Sequence, residues 1–154
     1  PSMKTDIQSE LSLGAIDQLG LVVTDLEQAI ALYTPLFGEF RIMEATDMDW
    51  LYRGKRETSS LRLAFSQSGA IEIELIEWVA GETPHKEFID QGREGLHHIR
   101  FRVNKLEGKV AAARKLGYRA IWTKRFDENL AASYLERDSD PLIIEFFENR
   151  SETA

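Results

Sequence analysis

The sequence predicts an α+β domain made of two repeated units related by a pseudo-twofold axis. Three observations carry that expectation. "DQLGLVVTDLEQAIALYTPLFG" (17–38) matches "HHIRFRVNKLEGKVAAARKLG" (97–117) at an offset of 80, setting Leu19 on Ile99, Leu21 on Phe101, Val23 on Val103 and Leu26 on Leu106. "GAIEIELIEW" (69–78) matches "DPLIIEFFEN" (140–149) at an offset of 71, setting Ile73 on Ile144, Glu74 on Glu145 and Glu77 on Glu148. In each copy a segment of helical period is followed by alternating or continuously apolar runs separated by turn residues, the pattern of helix then strands. Two copies are too few for a solenoid and fit a paired-module domain.

Taken in order, residues 1–13 read as a polar leader, 14–149 as one domain and 150–154 as a tail. Module one spans about 14–80, with strands near 16–23, 39–45, 61–66 and 70–78 and a helix near 26–37 stopped by Gly38. The linker 81–94 contains "PHKEFIDQG", which fits a short helix with Pro84 in its first turn and a stop before Gly92. Module two spans about 95–149, with strands near 97–103, 118–124, 132–137 and 141–147 and a helix near 105–116 stopped by Gly117.

The chain has 154 residues, 26 acidic against 19 basic, and a net charge of −7. That balance repels phosphate backbones and argues against a nucleic-acid partner. No Cys is present, which removes disulfides, thiolate metal sites and Cys nucleophiles and fits a reducing compartment. No apolar run reaches the roughly 18 residues of a membrane span and no secretory h-region opens the chain, so the expectation is a cytoplasmic protein with no membrane partner.

Alternation along the strands sorts the polar residues by face. Ile99, Phe101 and Val103 form the face that packs under a helix, which turns His98, Arg100 and Arg102 the other way. In module one Leu19, Leu21 and Val23 take the helix side, and Gln18 lies opposite with Gly20 and Val22. By the same rule Glu74 opposes Ile73 and Leu75, and Glu145 opposes Ile144 and Phe146. Gln18 and His98 are repeat-equivalent, as are Glu74 and Glu145, so the pseudo-symmetry gathers four polar side chains in one place. One imidazole, two carboxylates and an amide oxygen, with no sulfur, suit a single divalent ion such as Zn, Ni, Co, Mn or Mg. Two carboxylates in one cavity without a cation would be costly, which is a second reason to expect one.

"IDQLGLVVTDLEQAIALYTPLFG", "IEIELIEW", "GLHHIRFRV" and "LIIEFFE" resemble the vicinal oxygen chelate superfamily, the group that contains glyoxalase I, methylmalonyl-CoA epimerase, extradiol dioxygenases and bleomycin-resistance proteins. The resemblance covers 14–149. It implies two βαβββ modules forming a cupped, mostly antiparallel sheet around a metal held by Gln18, Glu74, His98 and Glu145. It further implies proton transfer beside a metal-chelated carbonyl, with Glu145 as first base and Glu74 as its partner. The substrate would be a small molecule of the acyl-CoA or 2-oxo class, or a hemithioacetal in a glyoxalase I-like alternative; the other alternative is a non-catalytic small-molecule-binding protein of the same fold. The reading leaves room for a homodimer.

Departures from the family pattern narrow the choice. Where glutathione-using members carry Arg, Asn and Arg around the ligands, this chain has Val22, Trp78 and Glu94, which disfavours glutathione. The iron dioxygenases use two His and one carboxylate, and Gln18 stands at the first of those His positions. Glu57, in "GKRETSS", lies near where epimerases carry a second catalytic glutamate, and is expected in a loop just before a strand. Alternation turns His97 toward the helix side, and His85 reads as a surface residue at a helix start. Arg53, Lys55, Arg56, Lys124 and Arg125 read as solvated charges or as a grip for CoA phosphates. "MDWLY" (48–52) is either core or a flap.

Overall fold

The computed structural model describes residues 6–152. The described part of the leader is folded: α1 (Ile7–Glu10) is capped by the Asp6 side chain, and Leu11 behind it is buried in the core. Residues 1–5 lie outside the described residues.

Each copy of the repeat folds as strand, helix and three strands. Module one runs β1 (Ile16–Val22), α2 (Leu26–Phe37), β2 (Arg41–Tyr52), β3 (Lys55–Ser68) and β4 (Ile71–Ala80). After the linker helix α3 (Pro84–Asp90), module two runs β5 (Gly95–Arg102), α4 (Leu106–Arg114), β6 (Arg119–Arg125), β7 (Leu130–Glu136) and β8 (Ile143–Asn149). The eight strands close into a barrel-like cup in the order β1-β4-β3-β2-β6-β7-β8-β5. Within the modules β1 runs parallel to β4 and β5 parallel to β8, while the other neighbours are antiparallel. The modules meet at two antiparallel seams, one between β1 and β5 and a shorter one between β2 and β6 at Leu51↔Thr123 and Tyr52↔Trp122.

Burial follows the alternation read from the sequence. Outside the barrel, α2 buries Leu26 and Ala29 against Ala64, Ile73 and Leu75, and α4 buries Leu106, Val110 and Ala113 against Leu135, Ile144 and Phe146. Inside, Val22, Trp50, Leu61, Leu63, Ile76 and Trp122 belong to a third cluster. The repeat also explains how the helices start. Glu77 Oε2 accepts the Leu26 N–H at 2.7 Å and Glu148 Oε1 accepts the Leu106 N–H at 2.8 Å, so each module's last strand supplies a carboxylate to the orphan donors at its helix N-terminus. Arg62 neutralises the first carboxylate and Arg125 the second; the Arg125 guanidinium, with the Leu106 N–H, holds the Glu148 carboxyl below its usual range.

Two strands are longer than the sequence predicts. β2 and β3 extend through the polar segment 46–60, where no apolar alternation marks a strand, because cross-strand polar contacts such as Thr58–Asp49 and Asp47–Ser60 stabilise it instead. Their hairpin turns at Arg53 and Gly54, both with positive φ (47° and 86°), the two-residue turn whose twist matches paired strands. "MDWLY" is therefore strand at the seam between modules, and Trp50 stacks on Trp122 at 3.5 Å and 6°.

Candidate metal centre

The four residues singled out by the repeat converge in the interior. Gln18 comes from β1, Glu74 from the neighbouring β4, His98 from β5 and Glu145 from the neighbouring β8. The Nε2 of fully buried His98 lies 2.9 Å from Gln18 Oε1, 3.1 Å from Glu145 Oε1 and 3.5 Å from Glu74 Oε1. Opposite His98 on β1 stands Gly20, and the imidazole occupies the space a side chain there would take.

Neighbours orient these side chains. Gln18 donates its amide to Glu72 Oε1 at 2.8 Å, which turns Oε1 toward His98. Arg100, buried beside them, is held by both carboxylate oxygens of Asp17 at 2.8 and 3.2 Å. His97 Nδ1 lies 3.4 Å from the other ring nitrogen of His98.

The arrangement fits a divalent cation. One imidazole nitrogen carries at most one hydrogen, yet three side-chain oxygens crowd it, so two of them keep unmet acceptor capacity in a buried site. Burial, and then the proximity of Glu145, push the Glu74 carboxyl well above its usual range. A cation at the convergence point would accept lone pairs from Gln18, Glu74, His98 and Glu145 together and remove that penalty. Among the described residues the three carboxylates that approach within 4.8 Å of one another, Asp25, Glu27 and Glu77, are already served by Arg62 and the α2 N-terminus, whereas the Glu74 and Glu145 oxygens stand farther apart, each beside His98 Nε2.

A cavity of about 410 Å³ opens on the centre. Its walls are mostly apolar, with Met43, Leu61, Leu63, Phe65 and the Trp50–Trp122 stack, and Gln18, Glu74, Glu145 and Arg100 are among its polar lining, while His98 lies behind them. Phe65 stands opposite Glu74 on β3 and Tyr134 opposite Glu145 on β7, so the two modules flank the centre with one aromatic ring each.

Several sequence expectations need correction. Glu57 lies within β3, not in a loop; it pairs with Trp50 and is eight residues along the strand from Phe65, the partner of Glu74. Its strand neighbour Trp50 lines the cavity, whereas Glu57 does not. His97 leaves the α2/α4 side because the β1–β5 register jumps from Gly20↔His98 to Leu21↔Leu96, a bulge that turns it against Phe88 and His85 of α3. His85 is fully buried, and burial pushes its pKa down to about 3, keeping it neutral. Arg53 and Arg125 are paired with carboxylates: Arg53 binds Glu87 and Glu136, and Arg125 binds Glu107 and Glu148. Sequence reasoning missed His85 and Tyr134, because neither repeat offset places a polar residue on either of them.

The family model for the Glyoxalase/Bleomycin resistance protein/Dioxygenase superfamily matches residues 17–133. The chain belongs to that superfamily. Its fold is similar to methylmalonyl-CoA epimerase from Mycobacterium tuberculosis, with a TM-score of 0.65 at 20% identity over 99% of this chain and 97% of that one. It is also similar to the Streptomyces coelicolor methylmalonyl-CoA epimerase in complex with 2-nitronate-propionyl-CoA, with a TM-score of 0.59 at 21% identity over 88% and 96%. A curated relative is the uncharacterised protein YqjC of Bacillus subtilis (strain 168), 27% identical over 100 residues. The match spans 65% of this superfamily member and 65% of the length of that relative. Among the described residues no helix is long and apolar enough to cross a membrane.

The space at Gly20 yields a test of the centre. A Cβ there would lie 2.0 Å from His98 Cε1 and 2.5 Å from Nε2. Gly20→Ala is therefore expected to displace the His98 ring and weaken metal binding by about 10- to 100-fold or more, measured by competition with a chromogenic chelator. Unchanged affinity in a folded variant would show that His98 does not need its present position.

Proposed function

We propose that this protein is a divalent-metal-dependent isomerase of the epimerase type, moving a proton on the carbon next to the carbonyl of an acyl thioester or 2-oxo acid. The observation that carries this reading is the pair of buried carboxylates, Glu74 and Glu145, reaching one His98 nitrogen from opposite modules. Gln18, Glu74, His98 and Glu145 would hold the ion, and a divalent ion bound there supplies Lewis-acid polarisation of a ligand carbonyl.

The chain's own groups account for the rest. In this reading Glu145 takes the proton from the α-carbon and Glu74, arriving from the other module, returns one, a division supported by the two carboxylates reaching His98 from different modules. The apolar walls hold the carbon skeleton and exclude water, while Gln18, fixed by Glu72, keeps its oxygen on the centre. The fold similarity to epimerases and the absence of an obvious glutathione grip favour this branch over a glyoxalase.

Incubating metal-loaded protein with 2-methylacyl-CoA or 2-oxo acid probes in D₂O is expected to exchange the α-hydrogen, read by mass spectrometry, and to stop on chelation. No exchange with either probe type would favour a sequestering protein of the same fold.

Glutathione chemistry is expected to be poor. Val22 is buried in the interior, Trp78 spends its N–H on the Gly81 carbonyl at 2.7 Å, and Glu94 accepts from the Thr24 N–H at 3.0 Å. A kcat/KM of roughly 10⁴ M⁻¹s⁻¹ or more on the methylglyoxal–glutathione adduct would overturn the epimerase branch.

A further inference from the structure

The two aromatic rings that flank the centre differ by one atom. Phe65 faces Glu74 and Tyr134 faces Glu145, so only module two adds a hydroxyl. That hydroxyl lies 3.0 Å from His85 Nε2, in a cavity wall that both residues help to form. The Tyr134 ring stacks obliquely beside His98 at 4.7 Å, next to the centre.

Counting hydrogens decides which way the contact runs. A neutral His85 and a Tyr share two polar hydrogens, one N–H and one O–H, and their single contact uses one. His85 Nδ1 is buried with no hydrogen-bond partner. If Tyr134 donated to Nε2, the remaining hydrogen would sit on Nδ1 as an orphaned buried donor, the costlier and rarer arrangement. If Nε2–H donates to the Tyr134 oxygen, Nδ1 is a bare lone pair and the leftover hydrogen is the phenolic O–H. Among the described residues the Tyr134 hydroxyl makes no other hydrogen bond, and Tyr134 lines the cavity.

We propose that Tyr134, its oxygen held by the Nε2–H of His85, is a hydrogen-bond donor to the oxygen of a ligand bound at the four-residue centre. This rests on the proton-transfer reading above and adds a group to it. A neutral donor aimed at an oxygen that gains negative charge as the α-proton leaves stabilises that charge without reorganising. His85 is then a positioning residue: it orients the phenol and stays uncharged. The asymmetry has a consequence for the ligand, whose two chelating oxygens become inequivalent, with the one on the module-two side receiving the extra hydrogen bond.

Two measurements test this. Long-range ¹H–¹⁵N correlation of the imidazole nitrogens in the ligand-free protein, with the His85 signals assigned from a His85→Gln variant, is expected to find His85 protonated at Nε2. Protonation at Nδ1 would overturn the proposal whatever the protein catalyses. In the metal-loaded protein, Tyr134→Phe is expected to leave metal content unchanged and to weaken binding of acetohydroxamate, a two-oxygen enediolate mimic, by about tenfold. The α-hydrogen exchange rate is expected to fall by about 10²-fold. Equal acetohydroxamate affinity in wild type and Tyr134→Phe would also overturn it. Failure of the wild-type protein to bind acetohydroxamate would count against the metal reading instead, leaving the His85 tautomer to decide this one.

Discussion

His98→Ala is expected to abolish stoichiometric metal binding. His98 is the point on which the other three groups converge, at 2.9, 3.1 and 3.5 Å from one nitrogen, and it is the single nitrogen among the four ligands. Removing it leaves two carboxylates and an amide oxygen, a set without a nitrogen ligand that holds Zn, Ni or Co poorly and leaves Mn or Mg with few protein contacts. The neighbour gives an internal control: of the four converging side chains His97 meets His98, through the far ring nitrogen at 3.4 Å, so His97→Ala is expected to weaken binding by about 10- to 100-fold and not to eliminate it. Metal analysis after dialysis separates these outcomes. Equal loss from both variants would mean that the bulge at His97 does not divide the two roles.

Glu145→Gln is expected to lower α-hydrogen exchange by about 10²- to 10⁴-fold while metal content largely stays. Gln keeps an oxygen where the carboxylate was, so a ligand atom survives and the base does not. The same change at Glu57 is expected to have little effect, since Glu57 does not line the cavity. Measuring exchange and metal content on the same preparations distinguishes a lost base from a lost ion. Wild-type exchange by Glu145→Gln would remove Glu145 from the chemistry.

How much of this was legible in the sequence depended on what kind of signal each feature leaves. The modules, their helices and the inward direction of Gln18, Glu74, His98 and Glu145 follow from the two repeat offsets and strict alternation, which are local and periodic. The long β2–β3 hairpin was not, because polar cross-strand pairs and an Arg53–Gly54 turn replace the apolar pattern there. His97 was assigned to the wrong side because a one-residue bulge reverses alternation and leaves no mark in composition. His85 and Tyr134 were missed for a different reason: their meeting depends on how α3 packs against β7, a contact between elements with no counterpart in module one. Glu77 and Glu148 were visible as a matched pair, but their role as acceptors for the N-termini of α2 and α4 needed the three-dimensional register.

The claim on which everything else depends is that Gln18, Glu74, His98 and Glu145 hold one divalent ion. Chelator-stripped wild-type protein titrated with Zn, Ni, Co, Mn and Mg by isothermal calorimetry, with elemental analysis of the loaded product, tests it most directly. The expected result is one ion per chain for at least one of these metals, lost in His98→Ala. Absence of stoichiometric binding for all five, or binding that His98→Ala leaves intact, would contradict it.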